Sequence, residues 1–240
     1  MTKKDKNMPK SYLLTGATSG IGLAIYKSLH EQGHHITVVL RDKRRAEVLP
    51  YSPQNIIEAD FANPLQVDKS FKGFDTPLDG IINAAGILQG NSIFESTPET
   101  LSELFNINVI SPILMIKHTS SQLSKGGAVI LFGSISGHKG SYDDAYAASK
   151  GAIHSLVRSL SLKLAPNARV VGIAPGMTLN TGMTNSLIEG RLEHNIKLIP
   201  MQLAGDPGDI ASLTNYILSD EAQFMTGNVI DINGGQYLRS

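Results

Sequence analysis

The chain contains neither cysteine nor tryptophan. Disulfides, thiolate nucleophiles and cysteine-ligated zinc are therefore excluded. Charge is also scarce: only 18% of residues are charged and the formal net charge is zero. Nothing draws the molecule as a whole toward nucleic acid or an anionic membrane surface, and neither is expected as a partner. No apolar run approaches the length needed to cross a bilayer. The first ten residues, MTKKDKNMPK, are basic with no apolar stretch behind them. They read as a solvated tail rather than a signal peptide or an anchor, and a cytoplasmic location is expected. The seven histidines form no ligand set, since no H-E-x-x-H occurs, so no metal is expected.

What is present points to a packed α/β domain. Hydrophobic residues make up 41% of 240, enough for a sizeable core. Short runs rich in Ile, Val and Leu recur at Ser11–Leu14, Ile36–Leu40, Asn55–Glu58, Gly80–Asn83, Ala128–Phe132, Arg169–Ile173 and Asn228–Ile232. Their lack of polar alternation suits strands buried on both faces of a parallel sheet. Amphipathic stretches lie between them. Ile153, Leu156, Val157, Leu160 and Leu164 share one helical face, as do Leu101, Leu104, Phe105 and Val109. Alternating β and α predicts one doubly wound parallel sheet of about seven strands with helices on both faces. With no repeat or linker, residues 1–240 are expected to form a single domain.

TGATSGIG, Thr15 to Gly22, follows the first strand directly. A glycine-rich turn opening a helix suits a phosphate, because the helix N-terminus presents free N–H groups and partial positive charge. Gly16 permits the tight turn, and Gly20 and Gly22 permit close approach of backbone to a pyrophosphate. The spacing is G-x-x-x-G-x-G rather than the G-x-G-x-x-G of the usual dinucleotide fingerprint.

Further along come NAAG (Asn83–Gly86), Asn108 within an apolar helical stretch, Ser134, YAASK (Tyr146–Lys150), APG (Ala174–Gly176) and TGNVIDINGG (Thr226–Gly235). In this order and spacing the set resembles the short-chain dehydrogenase/reductase family from about Ser11 to Gly235. Within it the chain is similar to the NADP-preferring, β-ketoacyl carrier-protein reductase-like members. The resemblance implies a Rossmann-type fold and hydride transfer between NADP(H) and a small carbonyl or secondary alcohol. The alternative is a catalytically silent NADP-binding sensor. It further implies a homotetramer, or at least a dimer, pairing through the helices around Asn108 and after Tyr146.

Tyr146 and Lys150 are four apart and so share a helix face. A nearby ammonium lowers a phenol's pKa, which makes Tyr146 the expected general acid and base. Lys150 is expected to tune Tyr146 and hold the nicotinamide ribose, and Ser134 to polarise the carbonyl. Ser136 is its rival. Asn108 matches the family's fourth catalytic residue, which bends the helix and holds a water near the lysine; Asn106 is its rival. The cofactor contacts implied are Gly16, Thr18, Ser19, Gly20, Ile21, Gly22, Asp60 and Phe61 at the adenine, Asn83, Ala84, Ala85 and Gly86, then Tyr146, Lys150, Pro175, Gly176, Thr178 and Thr181. Ala84 departs from the family's usual Asn-Asn-Ala-Gly. Where an NAD-binding member would carry an acidic residue this chain has Leu40, followed by Arg41, which can fork onto a ribose phosphate. Asp42 would oppose that phosphate if it turned inward. Leu179 to about Pro200 is the expected substrate lid, with Gly182 and Gly190 lending it freedom. Asn185 replaces a basic residue usual in carrier-dependent reductases, and Lys125 is the one basic group kept near the other carrier-facing position. This argues against a carrier-linked substrate and leaves a small ketone, keto sugar or steroid-like alcohol open.

Overall fold

The computed structural model describes residues 8–182 and 191–239. Most of the expected tail, and the part of the expected lid that holds Asn185 and Gly190, lie outside the described residues. Seven parallel strands form one sheet: β1 (Ser11–Thr15), β2 (His35–Leu40), β3 (Asn55–Glu58), β4 (Leu78–Asn83), β5 (Leu123–Phe132), β6 (Ala168–Pro175) and β7 (Val229–Ile232). Their spatial order is β3-β2-β1-β4-β5-β6-β7. The chain builds outward from β1 to one edge, then returns to β4 and builds to the other.

Both faces are covered, as the unbroken apolar runs require. On one side α1 (Gly20–Glu31) and the later helix Pro207–Leu218 bury Ile25, Tyr26, Leu29, Ile210, Ile217 and Leu218 against the sheet. On the other, α2 (Pro64–Phe71), α4 (Ser111–Thr119) and α6 (Asp144–Leu164) bury Val67, Phe71, Met115, Ile116, Ile153 and Val157. α3 (Pro98–Phe105) leads into α4 through a π-helical turn, Asn106–Ile110. α5 (Ser136–Lys139) is a single turn after β5, and α7 (Arg191–Lys197) precedes α8, the Pro207–Leu218 helix.

All seven expected strands are present. The largest difference is at β5, which begins at Leu123 rather than Ala128. Its first residues, Ser124 to Gly126, are exposed and carry no hydrophobic signal. They join the sheet across a register shift between Leu78 and Gly80.

The reversal of strand order positions the site. Thr15 pairs with Asn83, so the carboxyl ends of β1 and β4 stop side by side. Phe132 pairs with Ile173 on β6, and Pro175 with Ile232 on β7. Every loop that leaves these strand ends opens on the same edge of the sheet, where α/β folds bind their ligands.

Candidate active site

The glycine loop packs against the turn after β4. Gly16 has φ +75, and a Cβ there would lie 2.8 Å from the Ala84 carbonyl carbon. A Cβ on Gly22 would lie 2.1 Å from the Gly16 oxygen. Neither position accepts a side chain. Ser19 starts α1 with no side-chain capping bond, and the first turn carries no acidic residue. The helix therefore offers its first amides and its positive end to the cavity in front of it.

That cavity has a volume of about 770 Å³. Gly16, Thr18, Ser19, Gly20, Ile21 and Gly22 line one end, and Ala84, Ala85 and Gly86 its floor. Ser134, Tyr146 and Lys150 line the middle, and Pro175, Gly176, Thr178 and Thr181 close the far wall. Residues from distant parts of the chain thus meet as the sequence pattern requires.

Lys150 is 4% exposed, and its ammonium donates to the Phe132 carbonyl at 2.9 Å. The same nitrogen lies 5.6 Å from the centre of the Tyr146 ring. A Cβ on Gly86 would come within 3.2 Å of Lys150 Nζ and 3.3 Å of Asn108 Oδ1, so this glycine leaves open the space between the two. Burial lowers the Lys150 pKa to about 8. Tyr146 is hydrogen-bonded to the Ser134 side chain. Its pKa is raised, first by burial and also by the Asp143 charge, while the Ser134 bond works to lower it. Desolvation outweighs the Ser134 bond, so the phenol's pKa is raised where a lowered one was expected.

Ser134 is 8% exposed and Ser136 donates its backbone N–H to Ser134 Oγ at 3.1 Å. Ser134 is thus the serine joined to Tyr146, and Ser136 is a neighbour on the cavity wall. Asn108 is 1% exposed and sits in the π-helical turn, so the helix widens where the resemblance implied a bend. Its Oδ1 accepts from Ile87 N at 2.9 Å, and its Nδ2 donates to Ile87 O and to Ser149 Oγ, each at 3.0 Å. Asn106 instead donates to Ala62 O, away from the site.

Five expected residues do not line the cavity. Asn108 stands behind Gly86. Asn83 is buried and accepts from Thr15 Oγ1 at 3.0 Å, while that hydroxyl accepts from Ala85 N. Asp60 Oδ1 accepts from Ala62 N and fastens the turn after β3. The Phe61 side chain belongs to the core. Arg41 is exposed beyond the end of β2. Asp42 is turned onto Arg44, whose amide and guanidinium both donate to it and pull its pKa down to about 2. The carboxylate expected to oppose an anion beside Arg41 if it turned inward is therefore paired with Arg44.

Two buried side chains escaped the sequence reading. Asp143 caps α6 by accepting from Tyr146 N at 2.8 Å, a position that an aspartate just before a helix signals. His154 accepts from Ser134 N at 3.4 Å, a contact that no local pattern announces. Leu88, Tyr142, Asn195 and Gln236 add to the cavity wall.

The family whose model matches residues 16–236 is described as enoyl-(acyl carrier protein) reductase. The chain is 31% identical to the 3-oxoacyl-acyl-carrier-protein reductase FabG of Buchnera aphidicola, over 97% of this chain and 99% of that protein. It is 32% identical to Protein FixR of Bradyrhizobium diazoefficiens, over 98% and 89%. Among solved structures, a short-chain glucose/ribitol-type dehydrogenase from Brucella melitensis superimposes with a TM-score of 0.89 at 29% identity, covering 97% and 99% of the two chains. A blue fluorescent protein from a metagenomic library, solved with NADPH, gives 0.85 at 25% identity, covering 97% and 100%. Sequence, sheet order and the meeting of serine, tyrosine and lysine agree: the chain belongs to the short-chain dehydrogenase/reductase family and has its oxidoreductase architecture.

Proposed function

We propose that this chain is an NADP(H)-dependent oxidoreductase acting between a small carbonyl compound and its secondary alcohol. One observation carries the reading: Ser134, Tyr146 and Lys150 line the same cavity as the uncapped glycine loop. The residues fit a dinucleotide: α1 turns an uncapped N-terminus toward the cavity, glycine at 16 and 22 lets the loop pack on Ala84 and on itself in that shape, and Gly86 keeps clear the space beside Lys150. Residues Thr18 to Gly22 would hold the pyrophosphate, and Ala84 to Gly86, Pro175, Gly176, Thr178 and Thr181 the nicotinamide half. When bound, the nicotinamide supplies or accepts the hydride. Tyr146 gives its phenolic proton to the carbonyl oxygen in reduction and takes it back in oxidation. Ser134 donates to the same oxygen and orients it. Lys150, cationic below about pH 8, supports the phenolate once the proton has left.

Leu40 and Arg41 support NADPH over NADH. Leu40 offers no acceptor to a ribose hydroxyl, and Arg41 is an exposed guanidinium with its neighbouring carboxylate already paired. Carrier-linked β-ketoacyl chains join the candidate substrates, against the reading of Asn185, because relatives bear that name. The chain is proposed to work in the cytoplasm as a tetramer.

The test is NADPH oxidation across β-ketoesters, keto sugars, quinones, diketones and carrier-linked ketoacyl chains. The expected result is turnover of one class, reduced by about 100-fold or more in Tyr146→Phe. Dissociation constants should favour NADPH over NADH, and Arg41→Ala should cost NADPH roughly tenfold while leaving NADH unchanged. Equal affinity for the two cofactors in the wild type would refute the NADP assignment. Turnover that survives Tyr146→Phe would refute the mechanism.

A further inference from the structure

The connection between β4 and α3 carries Gly86 on its cofactor side and Ile87 and Leu88 on the cavity wall. The residues after Leu88 turn away from the sheet and find no strand to pair with. Their backbone donors still need acceptors. Gln89 N and Gly90 N both donate to Asp143 Oδ2, at 3.2 and 2.9 Å. The other oxygen of the same carboxylate, Oδ1, accepts from the amide of Tyr146. Asp143 is 3% exposed. The next residue, Asp144, accepts from Ile93 N at 2.9 Å. Two consecutive aspartates at the start of α6 therefore hold residues 89–93 of this connection.

We propose that Asp143 is a positioning residue that fixes the substrate-facing wall at Leu88 relative to Tyr146, one carboxylate oxygen serving each. This assignment rests on the reductase reading of the cavity. Ile87 is pinned separately by Asn108, through both its N–H and its C=O. The cofactor side of the loop is thus secured by one residue and the substrate side by another.

The chemistry requires a carboxylate. An asparagine at 143 keeps one oxygen, which suffices to cap α6 on Tyr146 N. Its amide NH2 then faces the N–H groups of Gln89 and Gly90, which need an acceptor. Asp143→Asn separates the two jobs: the helix cap survives and the loop clamp is lost.

The experiment compares wild type, Asp143→Asn and Asp144→Asn. The probes are NADPH and ethyl acetoacetate, with hydrogen–deuterium exchange by mass spectrometry over residues 87–97 and over α6. In Asp143→Asn the exchange of residues 87–97 should rise while α6 keeps its protection. KM for the ketoester should rise roughly tenfold, with kcat falling by less than about threefold and the NADPH dissociation constant unmoved. Asp144→Asn, on an exposed residue, should give the same pattern more weakly. Unchanged exchange over residues 87–97 would overturn the proposal. So would loss of α6 protection with kcat and KM falling together, because Asp143 would then be a helix cap alone. A wild type that turns over no carbonyl would count against the reductase reading, and the exchange result would still decide the clamp.

Discussion

Lys150 is a buried ammonium at the cavity wall with a carbonyl partner, and its energetics run against its function. Burying a cation with so little compensation costs stability, which the site accepts in exchange for a charge beside Tyr146. The sign follows from linkage. The folded-state pKa, about 8, lies below the usual lysine value of 10.5. Between those two pH values the unfolded chain holds a proton that the native one has released, so stability rises with pH across that window. Below about pH 8 the native state carries the strained cation. Lys150→Met should therefore raise the unfolding midpoint at pH 7 by about 2–4 °C, worth roughly 1 kcal/mol, and flatten the rise between pH 8 and 10.5. It should also reduce turnover by about 100-fold or more. Thermal melts at pH 7 and 9.5 check the first pair, and a midpoint lower than wild type at pH 7 would contradict it. Lys150 and Tyr146 were legible in the sequence because four-residue spacing is local. Asp143 was legible only as a cap, since its other partners, Gln89 and Gly90, lie more than fifty positions away. The direction of the Tyr146 shift was not legible, because spacing reports the nearby ammonium and says nothing of burial.

At the scale of elements, α6 is seated by a histidine that fills space left by two glycines. A Cβ on Gly133 would lie 2.2 Å from His154 Nε2, and one on Gly137 would lie 2.7 Å from His154 Cε1. The ring also packs on His138 at 4.0 Å, and His138 stacks on Tyr237 at 5.4 Å. Because Nε2 accepts from Ser134 N, the proton of the neutral ring sits on Nδ1. Burial, with His138, Arg239, Arg158 and Lys150 around it, lowers its pKa to about 3. Between pH 6.5 and 3 the unfolded state binds a proton that the native state refuses, so stability falls as the solution is acidified. The slope is up to about 1.4 kcal/mol per pH unit. His154→Gln, which keeps an acceptor for Ser134, should show a shallower loss between pH 6.5 and 4 by urea titration. Parallel slopes in the two proteins would remove His154 as the cause. The strands themselves were legible as apolar runs, because burial on both faces leaves no polar alternation to confuse the pattern. The π-helical turn at Asn106–Ile110 was legible only through the resemblance, since local propensity does not separate a widened turn from an ordinary helix.

Among the described residues, apolar side chains stay uncovered on the helices expected to pair. Ile110 and Ile113, three apart and so on one face, are 42% and 41% exposed, and Leu162 near the end of α6 is 84% exposed. Phe224, after α8, is fully exposed with Tyr216 at 44%. Scattered exposed apolar residues are ordinary, but these fall on two groups of elements: the start of α4 with the end of α6, and the end of α8 with the segment after it. Two distinct self-complementary surfaces are what a tetramer with two kinds of two-fold contact needs, whereas one surface stops at a dimer. The expected mass by light scattering is four times the 25.7 kDa of the chain. Ile113→Glu places a charge in the α4 face and should halve or quarter that mass while the monomer fold survives, because its side chain faces outward. Phe224→Ser should leave dimers joined through α4 and α6. A wild type that scatters as a monomer at micromolar concentration, or an Ile113→Glu variant that keeps the full mass, would show that these faces are simply solvated.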